Sequence, residues 1–171
     1  PDLLQNPITL LHGRVCGGVQ DIPNINSFGS QSLGMIVRRV DGTNLPEGAC
    51  FPLCEPIFPG MSGTVTFYAM TPEACVGTSE IRVEFSEGAP VDHEVVYDNP
   101  GISSPSVFVP ITSHQNSNPV FDLYTAPFNN ETDICWNFLY LSSFTNTDNF
   151  PPPLPGYGYI VLDNVRVELN N

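Results

Sequence analysis

Lysine is absent from the 171 residues, and five arginines face 18 acidic side chains, for a formal net charge of -13. A chain so short of cations cannot assemble the basic footprint that a phosphate backbone requires, so nucleic-acid binding is excluded. Anionic membrane surfaces repel it for the same reason. No apolar run approaches the length needed to cross a bilayer, which excludes membrane insertion by a helix. Cysteine is scarce and irregularly spaced. Cys16, Cys50, Cys54, Cys75 and Cys135 contain no paired C-x2-C knuckles, and "CFPLC" has no second pair or nearby histidine to complete a zinc site. No stretch has the periodicity of a long amphipathic helix.

What is present is turn chemistry and alternation. Fourteen glycines and 18 prolines, against 13% charged residues, suit an all-β chain with many turns. Period-2 segments recur along it: "SLGMIVRRV" from Ser32, "GTVTFYAM" from Gly63, "EIRVEF" from Glu80, "HEVVY", "SVFVPI", "VFDLYTA", "ICWNFLYLSSF" and "YGYIVLDNVRVEL". In "GTVTFYAM" the alternation places Val65, Phe67 and Ala69 on one face and Thr64, Thr66 and Tyr68 on the other. Between these segments lie "DGTNLPEG", "DNPGISSP", "SHQNSNP" and "NFPPPLPG", all turn or loop sequences. The expectation is one domain over residues 1–171, an all-β, two-sheet antiparallel sandwich of about eight strands with little helix.

The cysteines are expected to form up to two disulfides with one odd thiol, a short Cys50–Cys54 loop among the options, in an oxidising compartment. The acidity favours solubility outside the cell, so the expected location is extracellular, secreted or at the surface.

The order of the pieces carries a resemblance. "GSQSLGMIV", "EPIFPGMSGTVTFYAM", "IRVEFS" and "YIVLDNVRVEL" resemble the galactose-binding-like jelly rolls, which include many carbohydrate-binding modules of secreted polysaccharide-degrading enzymes. The "PDLL" opening resembles related domains in surface proteins of gliding bacteria. The likeness covers roughly residues 29–169 and implies a jelly-roll fold and a polysaccharide or glycan partner. It also implies a first strand of Asn-x-x-Phe-Glu type that this chain lacks, leaving an edge for residues not recorded, another chain, or nothing. The last strand matches the aromatic-x-x-x-Asp-x-Val pattern with Tyr159, Asp163 and Val165. In the relatives that aspartate shares a structural calcium ion with backbone carbonyls and the first-strand glutamate. Asp163 is therefore the candidate metal ligand; the alternative is an aspartate hydrogen-bonded to backbone amides at a bulge that Asn164 helps to shape.

A glycan-binding face needs aromatic platforms flanked by hydrogen-bonding groups. Trp136 is the single tryptophan, and alternation groups it with Phe138 and Tyr140 on a strand buried on both faces, which favours core over platform. Tyr68, Tyr97, Tyr124 and Tyr157 lie near turns or polar neighbours and are the better candidate platforms. Arg38, Arg39 and Arg82 suit sugar hydroxyls or surface carboxylates. His12, His93 and His114 have no metal-binding spacing, "DHE" reads as a solvated turn, and no Gly-x-Ser-x-Gly elbow occurs, so no catalytic residue is assigned. "NET" at Asn130 is a glycosylation sequon. Two functions follow: a non-catalytic glycan-holding module, or a structural subunit of a filament or adhesin that self-assembles through strand edges.

Overall fold

The computed structural model describes residues 8–9, 33–40, 43–46, 48–71, 79–88, 104–112, 121–145 and 157–170. These hold ten strands and no helix. In chain order they are β1 (Ile8–Thr9), β2 (Leu33–Val40), β3 (Thr43–Pro46), β4 (Gly48–Ile57), β5 (Ser62–Met70), β6 (Ser79–Ser86), β7 (Val107–Ile111), β8 (Asp122–Asn129), β9 (Trp136–Thr145) and β10 (Tyr157–Leu169). One sheet has the order β1-β4-β9-β6-β7 and the other β3-β2-β10-β5-β8, with neighbouring strands antiparallel. Setting aside the short strands β1 and β3, the orders are β4-β9-β6-β7 and β2-β10-β5-β8. Strands from the two halves of the chain interleave in both layers, which is the connectivity of a jelly roll.

The alternation in the sequence maps onto the layers. On β5, Val65, Phe67 and Ala69 are wholly buried between the sheets, while Thr64, Thr66 and Tyr68 stay half-exposed outside. Ile81, Val83 and Phe85 do the same on β6, and Leu139 and Leu141 on β9. Each such aliphatic or aromatic side chain contributes about 1.5–3 kcal/mol on burial.

Two strands depart from the expected pattern. Cys50 to Cys54 and their flanks, which none of the period-2 segments covers, run as the ten-residue strand β4 despite Pro52 and Pro56. The ladder to β9 tolerates this because its register breaks between Pro52 and Ile57, where missing donors are not needed. Likewise Thr43–Pro46, which reads as turn, pairs with β2 as β3.

On β10 the register against β5 shifts between Asp163 and Arg166, an inserted residue that reverses the inward parity. Ile160 and Leu162 face the core before the bulge, and Val167 after it. Without the extra residue Arg166 would point inward. Asn164 sits at φ 50, a left-handed conformation that asparagine tolerates better than most residues.

Candidate functional site

The outward face of the β1-β4-β9-β6-β7 sheet is unusual because its polar centre is buried. Reading across the strands, Cys50 of β4 faces Tyr140 of β9, which faces Glu84 of β6. Beside that row run Gly48, Ser142, Arg82 and Phe108, and on its other side Pro52, Phe138 and Ser86. The Tyr140 ring lies across β4 over Gly48, where a Cβ would meet its hydroxyl oxygen at 2.2 Å. Glycine is required there, and the ring is held flat against the sheet. Phe108, on edge strand β7, is 46% exposed at the margin of the same face.

Glu84 has no exposed surface and Ser142 none. A carboxylate so placed needs compensation, since an unpaired buried charge costs several kcal/mol. Arg82 supplies it: Nε lies 3.1 Å from Glu84 Oε2. The Nε hydrogen itself goes to Ser142 Oγ at 3.1 Å, so the contact with Glu84 is charge attraction without an aligned hydrogen bond. Ser106 Oγ donates to Glu84 Oε1. Arg82 Nη2 and Glu84 Oε2 are left buried without hydrogen-bond partners. The face therefore holds an unspent donor and an unspent acceptor side by side, among Tyr140, Phe138 and Phe108.

The sequence candidates lie elsewhere. Tyr68 is half-buried on the outer face of the other sheet, opposite Asp163 on β10 and Leu123 on β8. Tyr124 stacks on Phe67 with centroids 5.9 Å apart, and its hydroxyl accepts from the Thr112 amide, tying β8 to the end of β7. Trp136 is 1% exposed and stacked on Phe85 at 4.9 Å. It leaves the set that alternation assigned: the irregular register near Ile57 turns it into the core, while Phe138 and Tyr140 stay outward with Cys50. Tyr157 opens β10 opposite Arg38. Tyr97, Cys16, Cys75, the three histidines and "DHE" lie outside the described residues.

Cys50, Cys54 and Cys135 are free thiols, which removes the Cys50–Cys54 loop from the options. Four steps along an extended strand cover roughly 13 Å, about twice what a disulfide spans. Burial pushes the Cys50 thiol up from 9.0 to about 11, whereas Cys54 is exposed.

Asp163 stands at the bulge, half-buried on outward parity. Asn164 Oδ1 accepts from Arg166 Nε at 3.1 Å. Among the described residues no three acidic, histidine or cysteine side chains converge on a point. The acidic ligand set of a calcium cage is therefore not assembled at Asp163 by the described residues.

The sequon asparagine is also structural. Asn130 has no exposed surface; its Nδ2 donates to the carbonyls of Ile57 and Ile134 at 2.9 and 3.0 Å. Its Oδ1 accepts from the Thr132 amide and hydroxyl at 3.1 and 2.5 Å. Its backbone amide donates to Met61 and its carbonyl accepts from Gly60, pinning the Phe58–Met61 turn between β4 and β5. Gly60, at φ 84 after Pro59, gives that turn its type II shape. An amide nitrogen with both hydrogens spent inside the fold is closed to glycan attachment in the folded chain.

No family model matches the sequence, and no curated protein matches it. Solved structures of similar shape include the enzymatically active domain of bacteriophage CBA120 tailspike protein 4, at 18% identity and a TM-score of 0.45. That alignment covers 88% of this chain and 17% of the tailspike chain. A CBM4 structure aligns at 12% identity and a TM-score of 0.39, over 81% of this chain and 78% of that one. A cleaved adhesin domain of Lys-gingipain from Porphyromonas gingivalis aligns at 12% identity and 0.41, over 85% and 81%.

Glu84, Tyr140, Phe138 and Phe108 were not singled out from sequence as a site. The available signal was "EIRVEF", where Arg82 and Glu84 share one face of a strand two residues apart. Alternation alone reads such a pair as solvated; only the neighbouring strands bury it.

Proposed function

We propose that this chain is a non-catalytic glycan-binding module whose ligand lies on the outward face of the β1-β4-β9-β6-β7 sheet. The observation that carries the reading is the buried Arg82–Glu84 pair, with Arg82 Nη2 and Glu84 Oε2 unpartnered beside outward-facing aromatics. A sugar hydroxyl both donates and accepts, matching both kinds of unspent group, and the apolar face of the ring stacks on Phe108, the exposed aromatic at the margin of this face. Binding a neutral polysaccharide also agrees with a chain of net charge -13. The non-catalytic part carries forward the sequence expectation, in which no Gly-x-Ser-x-Gly elbow occurs and no catalytic residue is assigned. An extracellular or cell-surface setting belongs to the same reading, because that is where polysaccharide is met.

The test is electrophoresis through gels containing dissolved polysaccharides, comparing wild type with Phe108→Ala and Glu84→Gln. Retardation of the wild type on at least one neutral polysaccharide is expected, with about tenfold weaker affinity for Phe108→Ala. Equal mobility of Phe108→Ala and wild type on every retarding polymer would remove the face from consideration.

Assembly through a sheet edge is the second reading, and β1 bears on it: among the described residues this edge strand pairs with Ala49 and Cys50 of β4. Against it, β4 carries Pro52 and Pro56, and edge strands β7 and β8 carry Pro110 and Pro127, a residue type that blunts strand addition. Light scattering behind a sizing column separates the readings: filaments or large oligomers support assembly, a monomer the glycan module.

A further inference from the structure

A second pocket opens away from that face, between the two layers, where edge strands β7 and β8 approach each other. It encloses about 100 Å³. Val83, Phe85, Val107, Phe128 and Trp136 form its apolar walls, with Ser104 and Asn129 as polar members. The deep residues are buried, whereas Pro105, Pro127 and Asn129 at its mouth are exposed. Phe128 is kept over this space by Gly63 opposite it on β5, where a Cβ would meet the Phe128 ring at 2.6 Å.

Three polar groups in its lining have unused capacity. Trp136 forms part of the wall, and its Nε1 is buried with no acceptor. Ser104 Oγ accepts from the Phe85 amide at 2.7 Å, which leaves its own proton to donate. Asn129 Nδ2 is taken by Glu131 Oε1 at 2.9 Å, which leaves its Oδ1 to accept at the rim. The pocket thus asks for an acceptor at depth, an apolar body, and a donor towards the mouth.

We propose that this pocket binds an acetamido group of an N-acetylated sugar. The carbonyl oxygen accepts from Trp136 Nε1 or Ser104 Oγ, the methyl fills the apolar walls, and the amide N–H donates to Asn129 Oδ1. Size agrees: a 150 Å³ cavity takes the six heavy atoms of benzene, roughly 25 Å³ each, so 100 Å³ takes about four, the number in an acetamide. The sugar ring then rests outside on Pro105 and Pro127. An acetylated lysine carries the same amide on a flexible four-methylene stem, which offers no rigid ring to rest on Pro105 and Pro127. The site is separate from the outward face and borrows from the proposed function only the choice of a sugar as carrier.

The chain's single tryptophan makes the test direct, because one indole N–H cross-peak reports on the pocket. N-acetylglucosamine and N-acetylgalactosamine are titrated into 15N-labelled protein, with glucosamine, galactose and N-acetyl-lysine methylamide as controls. A saturable shift of the indole peak by at least one acetamido sugar is expected, with a dissociation constant of about 1 mM or weaker, and none by the controls. Val107→Phe adds four heavy atoms to the wall and should weaken the response at least tenfold; should it not fold, the wild-type ligand comparison decides alone. Phe108→Ala should leave the response intact, so that failure of the outward face and failure of this pocket are told apart. No shift with either sugar, equal shifts with glucosamine, or a tighter response to the lysine derivative would each overturn the proposal.

Discussion

Replacing Asn130 by aspartate changes one atom type and almost no volume, yet the structure gives it a large effect with a defined pH dependence. The amide nitrogen that donates to Ile57 and Ile134 becomes an oxygen facing two carbonyls. The folded chain can relieve this only by protonating the new carboxyl, which costs about 1.4 kcal/mol for each pH unit above an ordinary pKa near 3.9, or roughly 4 kcal/mol at pH 7. The single proton restores one donor, and the other carbonyl stays unsatisfied at a further cost of about 1–3 kcal/mol. Asn130→Asp should therefore lose about 5 kcal/mol at pH 7, near the top of the range for single substitutions. The sign of the pH dependence follows from the folded pKa being raised: the variant is least impaired at or below the unfolded pKa and loses stability as pH rises above it. Between pH 7 and pH 5 its deficit relative to wild type should shrink by about 2.7 kcal/mol. Urea unfolding of wild type, Asn130→Asp and Asn130→Ala at both pH values measures this, with the alanine deficit independent of pH. A deficit for Asn130→Asp below about 1 kcal/mol, or one that does not change with pH, would refute the latch described here.

At the β10 bulge, Asn164→Gly should leave thermal stability unchanged or raise it, whereas Asn164→Val should cost about 1–2 kcal/mol, or roughly 2–8 °C in Tm, by scanning calorimetry. Gly48→Ala places a methyl on the Tyr140 hydroxyl, so the ring must lift from β4; a lowered Tm together with weaker polysaccharide retention is expected. Iodoacetamide at pH 8 should modify Cys54 in the folded chain and reach Cys50 only after denaturation, as peptide mapping will show. Because the Cys50 pKa is raised, its contribution to stability is present below pH 9 and is lost as pH rises towards 11, and Cys50→Ala should flatten that alkaline decline. Excess EDTA should leave the melting temperature where it is, while a calcium-dependent rise of several degrees would restore Asp163 to the role of metal ligand.

Most of the long strands could be read directly, because a half-buried strand writes its two faces into alternate residues. β5 and β6 are the clearest cases: each residue expected inward among Val65, Phe67, Ala69, Ile81, Val83 and Phe85 lies in the core. β4 escaped because two prolines are evidence against a central strand unless the ladder is already broken beside them, and that break depends on how β9 lies alongside. Trp136 was grouped with Phe138 and Tyr140 for a related reason. Strict alternation carries no memory of an irregular step, and one such step is enough to move a side chain from the outer surface to the space between the layers.

The site was less legible than the fold. Aromatics near turns drew attention to Tyr68 and Tyr124, but one faces the opposite sheet surface and the other clips two edge strands together. By itself the sequence determined the layered β architecture, the inward and outward faces of most strands, and the exclusion of polyanionic partners, since these depend on local alternation and summed charge. Tertiary structure alone decided that Glu84 is buried beside a half-buried Arg82, with capacity to spare, and that Asn130 is a latch. It likewise decided that the tryptophan borders a cavity between the sheets. Each of these depends on neighbours brought from 22 to 73 residues away, and burial of a polar group is a property of those neighbours rather than of the residue that carries it.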